Sequence, residues 1–470
     1  MTKGGLVAAV VVLLILARSA VVVFWPQAAF DSDQAVMGLM AKHLAEGRAF
    51  PLFLYGQNYI LAVEAWLAAP VFLIAGPSVA ALKLPLLLMN LAVGLLLVRL
   101  LERDAGLRPA LALLASLFFV LAAPGTSAKL LEASGGNLEP FLYVLLLWLT
   151  RRRPVWFGLV AGVGFLQREF TIYGVAAVAV IELAGGTLLT REGRRGAFAA
   201  ARTAAEVWLV VQWLKQFDSA AGPGTTVANL TLASNNILSA AGRLCIDPRL
   251  MWTGLVRLAT VHWGALFGVA PHSLVPVGID SASTQGLPWF GVVFGAAMAL
   301  AAIRVGAHLW RERRWRPQHD FPAYLVLVGV FSAGVYGLGR CGVVELPTMR
   351  YDLLSVMGAV GLGAWFLAVE RGTWIRRAWI GVVVAWALLA AVAHARLWTE
   401  YLSHPPVGTR RLIARHLEAR GIKYASSDYW LAYCVTFLTD ERVIVASTDF
   451  VRILPYQREV AAHRAESVII

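Results

Sequence analysis

The chain has 470 residues, 59% of them hydrophobic and only 15% charged, with a formal net charge of +13. An ordinary water-soluble domain carries about a quarter charged residues, so that composition is excluded and a polytopic membrane protein is indicated. The basic excess lies in short arginine clusters between apolar runs, which is the pattern of membrane topology rather than of nucleic-acid binding.

The first apolar run, from about Gly5 to Trp25, is long enough to cross a bilayer and lacks a small-residue cleavage site. It is predicted to be a retained helix rather than a removed signal. Asp31-Ser32-Asp33 follows at once. Carboxylates beside a membrane are costly unless they serve a purpose. Apolar residues then recur at Val36, Met37, Met40 and Leu44, predicting an amphipathic helix with Asp31 or Ser32 at its N-cap and Asp33 complementing its dipole. Next come Pro51-Leu-Phe-Leu-Tyr-Gly-Gln-Asn-Tyr59 and an apolar stretch, Ile60 to Ala75, interrupted by Glu64 and Pro70. That stretch is predicted to lie on the outer leaflet, not to cross.

Further spans are expected near 81–100, 109–124, 138–150, 155–171, 173–190, 203–215, 288–310, 321–339, 351–370 and 378–396, giving about eleven crossings in all. The positive-inside rule puts five basic clusters in the cytoplasm: Arg99, Arg103 and Arg108; Arg151-Arg152-Arg153; Arg191, Arg194, Arg195 and Arg202; Arg311, Arg313, Arg314 and Arg316; Arg371, Arg376 and Arg377. Residues 26–80 and the loops 125–137, 216–287 and 340–350 then face outward. Arg18, late in the first span, is expected to reach for the outer headgroups.

Beyond Arg396 the composition changes. Residues 410–420 have helical periodicity, while Lys423 to Trp430 and Arg442 to Ser447 read as short strands, so residues 397–470 are expected to form a small soluble α/β tail on the outer side of an all-α transmembrane domain, 1–396. Three cysteines, Cys245, Cys341 and Cys434, lack CxxC spacing and imply no metal site. A Cys245–Cys341 bridge is open, with unpaired buried thiols as the preferred reading.

Several stretches share a pattern: Asp33-Gln34 followed by Met37-Gly38 and Met40-Ala41; Pro51 to Tyr59 with Glu64-Ala-Trp-Leu-Ala-Ala-Pro; Ser134-Gly-Gly-Asn-Leu-Glu-Pro140; Gly164-Phe-Leu-Gln-Arg-Glu-Phe170; and Thr348-Met-Arg-Tyr351. In order and sidedness they resemble the GT-C glycosyltransferases, a superfamily that includes protein O-mannosyltransferases and lipid A aminoarabinose transferases. These multi-span enzymes take a sugar from a polyprenyl-phosphate carrier. The resemblance covers essentially the whole chain. It implies Asp33 as the catalytic acid of the first outer loop, with Asp31 an additional acid, and Gln34 standing where the family usually has Glu.

An inverting transfer needs a carboxylate to take the acceptor hydroxyl's proton, and Asp33 suits that role. The departing phosphate needs cations, for which arginine is best shaped. Arg350 with Tyr351, and Arg168, are the candidates, with Lys129 and Arg340 as substitutes. Glu139, Glu64, Tyr55 and Gln57 are candidate substrate contacts. Each has a structural alternative: snorkelling for Arg350, an ion pair with Glu169 for Arg168, satisfied structural acids for Glu64 and Glu139.

The function expected is transfer of a sugar from a polyprenyl-phosphate donor to an acceptor hydroxyl at the outer face of a bacterial inner membrane. The acceptor is a lipid, a glycan or a protein, and membrane lipids are the other partner. A divalent metal is possible but not indicated. A transporter or flippase of lipid-linked sugars is the alternative, although the chain shows no internal repeat of the kind transporters carry.

Overall fold

Apolar runs in a lipid environment must satisfy their backbone groups internally, and helices do so within one segment. The computed structural model describes residues 3–25, 30–57, 60–217, 247–269, 288–312, 316–339, 346–406 and 408–470. In chain order the first helices are α1 (Lys3–Phe24), α2 (Ser32–Ala45), α3 (Val63–Ala75), α4 (Val79–Asp104), α5 (Pro109–Val120), the short α6 (Pro124–Lys129), α7 (Glu139–Thr150), α8 (Pro154–Gln167), α9 (Thr171–Ala184) and α10 (Arg191–Leu214). They are followed by α11 (Pro248–Arg257), which continues through a π-helical turn at Leu258–His262, then α12 (Pro288–Glu312), α13 (Asp320–Gly339), α14 (Ser355–Val369) and α15 (Thr373–Ser403).

Among the described residues six helical segments are long and apolar enough to cross a bilayer: Lys3–Phe24, Val79–Asp104, Trp289–Glu312, Pro317–Gly339, Arg350–Val369 and Thr373–Ser403. The other five expected spans fall on α5, α7, α8 and α9, which have only 12 to 14 residues, and on α10, whose first half carries the arginines 191, 194, 195 and 202. α3, at 13 residues and with Pro70 inside it, is likewise too short to span.

The helices put two sets of charges at opposite ends of the bundle. At one end Trp148 Nε1 donates to Asp104 at 2.6 Å, Arg151 lies 3.7 Å over the Trp148 ring, and Arg304 pairs with Glu370 at 2.6 Å. At the other end lie α2, α6, the turn before α7 and the segment that carries Arg350. Arg18 belongs to neither. It is buried to 1% exposure, donating to the Val120 carbonyl at 3.0 Å and to Asn90 Oδ1 at 2.7 Å, so the expected reach for headgroups is corrected. Inside the packed bundle a carbonyl and a side-chain amide take Nε and Nη2, while Nη1 is buried without a hydrogen-bond partner.

The C-terminal residues form α16 (Thr409–Ala419), β1 (Tyr424–Ser427), α17 (Tyr429–Leu438), β2 (Ile444–Ser447), α18 (Leu454–Ala462) and β3 (Val468–Ile469). The strands make a parallel sheet in the order β2-β1-β3, with Tyr424 opposite Ile444 and Ala425 opposite Val468. The strand expected from Lys423 to Trp430 stops at Ser427. Asp428 accepts from the Trp430 N–H at 2.7 Å and so caps a helix there. Ala414, Leu417, Ala425, Ala432, Val435, Val443 and Val445 form a small core within this unit.

Its other face merges with the bundle through α2. The expected exposed polar face of α2 is absent: Gln34, Lys42 and His43 are buried along with Val36, Met37 and Met40. The reason is that α17 covers it. Phe437 packs so close to Gly38 that a Cβ there would meet the ring at 2.5 Å, and Phe30 and Phe72 flank the same ring at 5.6 and 6.3 Å. Cys434 is a free, buried thiol beside Ser32 Oγ at 3.5 Å, and burial pushes it up to about 12. Cys245 and Cys341 lie outside the described residues.

Candidate active site at the acidic helix

α2 begins as its composition demands. Asp31 is extended and its carboxylate accepts the Gln34 N–H at 3.1 Å, closing an N-cap. Capping therefore occupies Asp31. Asp33, within the first turn, points elsewhere: Oδ1 accepts from the Tyr429 hydroxyl at 2.5 Å, and Oδ2 lies 3.5 Å from Arg350 Nη1. Its side chain is 19% exposed, so the carboxylate is held but not sealed.

Arg350 and Tyr351 sit on a 3-10 segment, Leu346–Asp352, just before α14. Asp352 is fully buried and accepts from Ser332 at 3.2 Å, which anchors the end of that segment on α13. Arg350 Nη2 donates to Tyr351 Oη at 3.2 Å. Arg168, in extended conformation after α8, brings its guanidinium to 5.6 Å from the Tyr351 ring and 5.2 Å from the Phe170 ring. It forms no ion pair with Glu169 among the described residues, and its buried Nε has no hydrogen-bond partner. Asp33, Arg350, Tyr351 and Arg168 are thus brought to one place from three segments.

Lys129 and Glu132 lie close by as a buried ion pair at 2.6 Å, and Glu132 is within electrostatic reach of Arg350. Burial drives Glu132 above the usual carboxylate range, Lys129 pulling against it. Lys129 therefore already has a partner. Lys83, also fully buried, donates to the Val22 carbonyl at 3.3 Å and senses both Glu132 and Asp31.

Glu64 and Glu139 take the structural place that the sequence offered beside substrate contact. Glu64 accepts the N–H groups of Gly135 and Gly136, both at 2.9 Å, and bonds to the Glu139 carboxyl. Gly135 and Gly136 have φ of 87° and 103°, conformations that residues with a Cβ rarely adopt, so the turn requires glycine and the carboxylate clamps it. Burial first and the neighbouring Glu139 second hold Glu64 well above the usual carboxylate range. The clamp fixes the loop against which Arg168 packs, since a Cβ on Gly136 would touch the Arg168 side chain at 3.2 Å.

Tyr55 and Gln57 also fall away from Asp33. Tyr55 is fully buried with its hydroxyl 3.0 Å from His43 Nδ1. The Gln57 amide, turned with its oxygen toward Arg452, accepts from that guanidinium at 3.0 and 3.1 Å. The Gln57 contact joins the first loop to the C-terminal unit, as does the Tyr55 carbonyl, which accepts from Arg452 at 3.4 Å. Arg340 lies outside the described residues. Among the described residues no group of three or more His, Cys, Asp and Glu gathers as a metal site would require.

Tyr429 and Glu132 were missed in the sequence. Tyr429 leaves little signal because its partner is 396 positions away, and Glu132, though paired with Lys129 three positions off, meets Arg350 only through the fold. The only trace is the Asp428-Tyr429-Trp430 run, which the cap geometry turns into a helix start.

The bundle with an acidic helix at one end and cations converging on it shares its fold with solved proteins. Two structures of ArnT from Cupriavidus metallidurans, one in the apo state and one bound to undecaprenyl phosphate, align with 100% of this chain and 90% of theirs, at TM-scores of 0.54 and 0.53 and identities of 12% and 13%. The oligosaccharyltransferase of Archaeoglobus fulgidus, in complex with Zn and sulfate, aligns with 95% of this chain and 62% of its own at a TM-score of 0.51 and 13% identity. No family model matches the chain, and no curated protein matches it in sequence.

Proposed function

We propose that the protein is a glycosyltransferase that moves a sugar from a polyprenyl-phosphate donor to an acceptor hydroxyl at the outer face of the membrane, with Asp33 as the general base. One observation carries this reading: in a GT-C fold, a partly open carboxylate lies 3.5 Å from an arginine that is backed by a tyrosine and a second arginine. Asp33 takes the proton of the attacking hydroxyl while the anomeric carbon is displaced from phosphate. Arg350, with Arg168 behind it, meets the charge that grows on that phosphate, and a guanidinium pairs with phosphate oxygens in a bidentate geometry. The ArnT structure bound to undecaprenyl phosphate supports a polyprenyl-phosphate ligand for this fold.

Mass spectrometry of the cell envelope decides the matter. Deleting the protein should remove one sugar from one glycan or lipid, and wild type but not Asp33→Asn should restore it. A flippase of lipid-linked sugars would instead be restored by Asp33→Asn. The face is tested separately: in a background lacking the native cysteines, Glu46→Cys and Ser403→Cys, both at exposed positions, should react with an impermeant thiol reagent in intact cells, and the exposed Glu192→Cys should not. The reverse pattern would put the acidic helix inside.

A further inference from the structure

The C-terminal unit touches α2 at three points along its length. Tyr429 meets Asp33, Phe437 packs on Gly38, and Asp440 and Glu441 meet Lys42, His43 and Arg48. The two helices therefore run side by side in the same direction, α17 tracking α2 from its first turn to its last. Lys42 Nζ lies 2.6 Å from Asp440 and 3.0 Å from Glu441, while His43 Nε2 lies 3.1 Å from both Glu441 and the Tyr456 hydroxyl. Arg48 grips both oxygens of Glu441. Asp440 and Glu441 have φ of 54° and 62°, a left-handed pair without glycine, and such a pair persists where surrounding contacts hold it.

We propose that Tyr429 is a positioning residue for Asp33, so that the C-terminal unit completes the catalytic site. This rests on the glycosyl-transfer reading above. Tyr429 is itself fixed. Its backbone N–H donates to Asp449 at 2.7 Å, and its ring is packed edge-on by Trp430, Tyr433 and Phe450. Burial, and the Asp33 charge after it, push the phenol above its usual range, so at neutral pH it is a donor to the carboxylate.

With Oδ1 taken by Tyr429, Oδ2 is the oxygen left to receive a proton. Arg350 stands beside Oδ2, so the acceptor hydroxyl and the phosphate are drawn to the same side. In the step, the acceptor oxygen bonds to the anomeric carbon and its proton passes to Oδ2. The carbon–oxygen bond to phosphate breaks and its electron pair leaves with the phosphate. Tyr429 keeps its proton throughout and prevents the carboxylate from turning away.

Two measurements on the full-length protein test this. The first uses membranes that contain the cell's own lipid-linked sugars. Tyr429→Phe should lower turnover about 10- to 100-fold, the loss of one hydrogen bond to a charged group, while leaving undecaprenyl phosphate binding unchanged. Glu441→Gln, which touches only the latch, should lower turnover less, and combined with Tyr429→Phe it should add little. Full turnover in Tyr429→Phe, or fully additive losses in the double variant, would overturn the proposal. The second places 3-fluorotyrosine at position 429, where the fluorine resonance should shift in Asp33→Asn. An unchanged resonance would overturn it even if no sugar transfer is found. A shifted resonance in a protein without transferase activity would instead uphold the contact and discard the proposed reaction.

Discussion

The two ends of the bundle both carry charge, yet they are built differently. At the end with Arg103, Asp104 and Arg151, Trp148 and Arg304 reach partners 44 and 66 positions away, but other pairs are local: Arg103 pairs with Asp104 at 2.5 Å, and Arg202 pairs with Glu206 on the next turn of its own helix at 2.7 Å. These are exposed local pairs of the kind that anchor a helix end at an interface. At the other end Arg350 reaches Asp33 across 317 positions and Tyr429 reaches it across 396. The fold recruits those groups from separate segments and leaves Arg168 Nε without a partner. Assembling distant charges costs chain entropy and desolvation, so such convergence marks a site, whereas a local pair needs no further explanation.

The largest expected effect breaks the comparison at its centre. Asp33→Asn should reduce transfer by about 10² to 10⁴ while the protein remains folded in the membrane, as measured by turnover in membranes and by the melting profile of the purified protein. A dead Asp31→Asn beside an active Asp33→Asn would move the base to the cap residue. Next comes Arg350. Its replacement by Ala should weaken use of the lipid donor strongly, and Arg350→Lys should recover only part, because lysine keeps the charge but loses the planar fork. Donor-titration kinetics read this directly, and an unchanged donor dependence in Arg350→Ala would assign the phosphate to Arg168.

The helices were largely legible because the apolar runs, long and short, are bounded by arginine, glycine or proline. Residues 81–100 and 321–339, for example, fall within α4 and α13. Asp33 and Arg350 were legible as residue types at motif positions. What was not legible depends on who covers whom. The polar residues of α2 read as a solvent face until α17 is laid upon them, and Arg18 read as interfacial because nothing local announces Asn90 as its partner. Glu64 read as either a sugar contact or a structural acid, because a clamp on two glycine N–H groups 71 and 72 residues away leaves no local trace.

That clamp gives a smaller, structural effect. Glu64→Ala orphans two buried N–H groups, which should cost about 1 to 3 kcal/mol each if no water replaces the carboxylate. The loss should appear in the melting temperature and not in donor affinity. A raised donor requirement at unchanged stability would return Glu64 to the substrate pocket.

The smallest effects separate the latch from the far-end pairs. Burial works to raise Glu441, but hydrogen bonds from His43, Arg48 and Tyr456 outweigh it and hold the carboxyl far below its usual 4.5. A depressed value in the folded protein means that the stabilisation is fully present above the usual value and fades as the pH falls toward the folded one. The wild type should therefore lose stability as the pH drops below about 4.5. Glu441→Gln should be less stable by about 1 to 3 kcal/mol at pH 7, with a flatter acid profile, when thermal unfolding is followed from pH 7 to pH 3. Arg202→Ala removes an exposed pair on α10 whose arginine side chain is 70% accessible, so solvent already screens it. Its change should be about 0.5 kcal/mol or less at every pH. Equal losses in the two variants would mean that the Glu441 contacts hold the C-terminal unit no more firmly than a surface pair does. The contrast between the two ends would then rest on Asp33 and its partners alone.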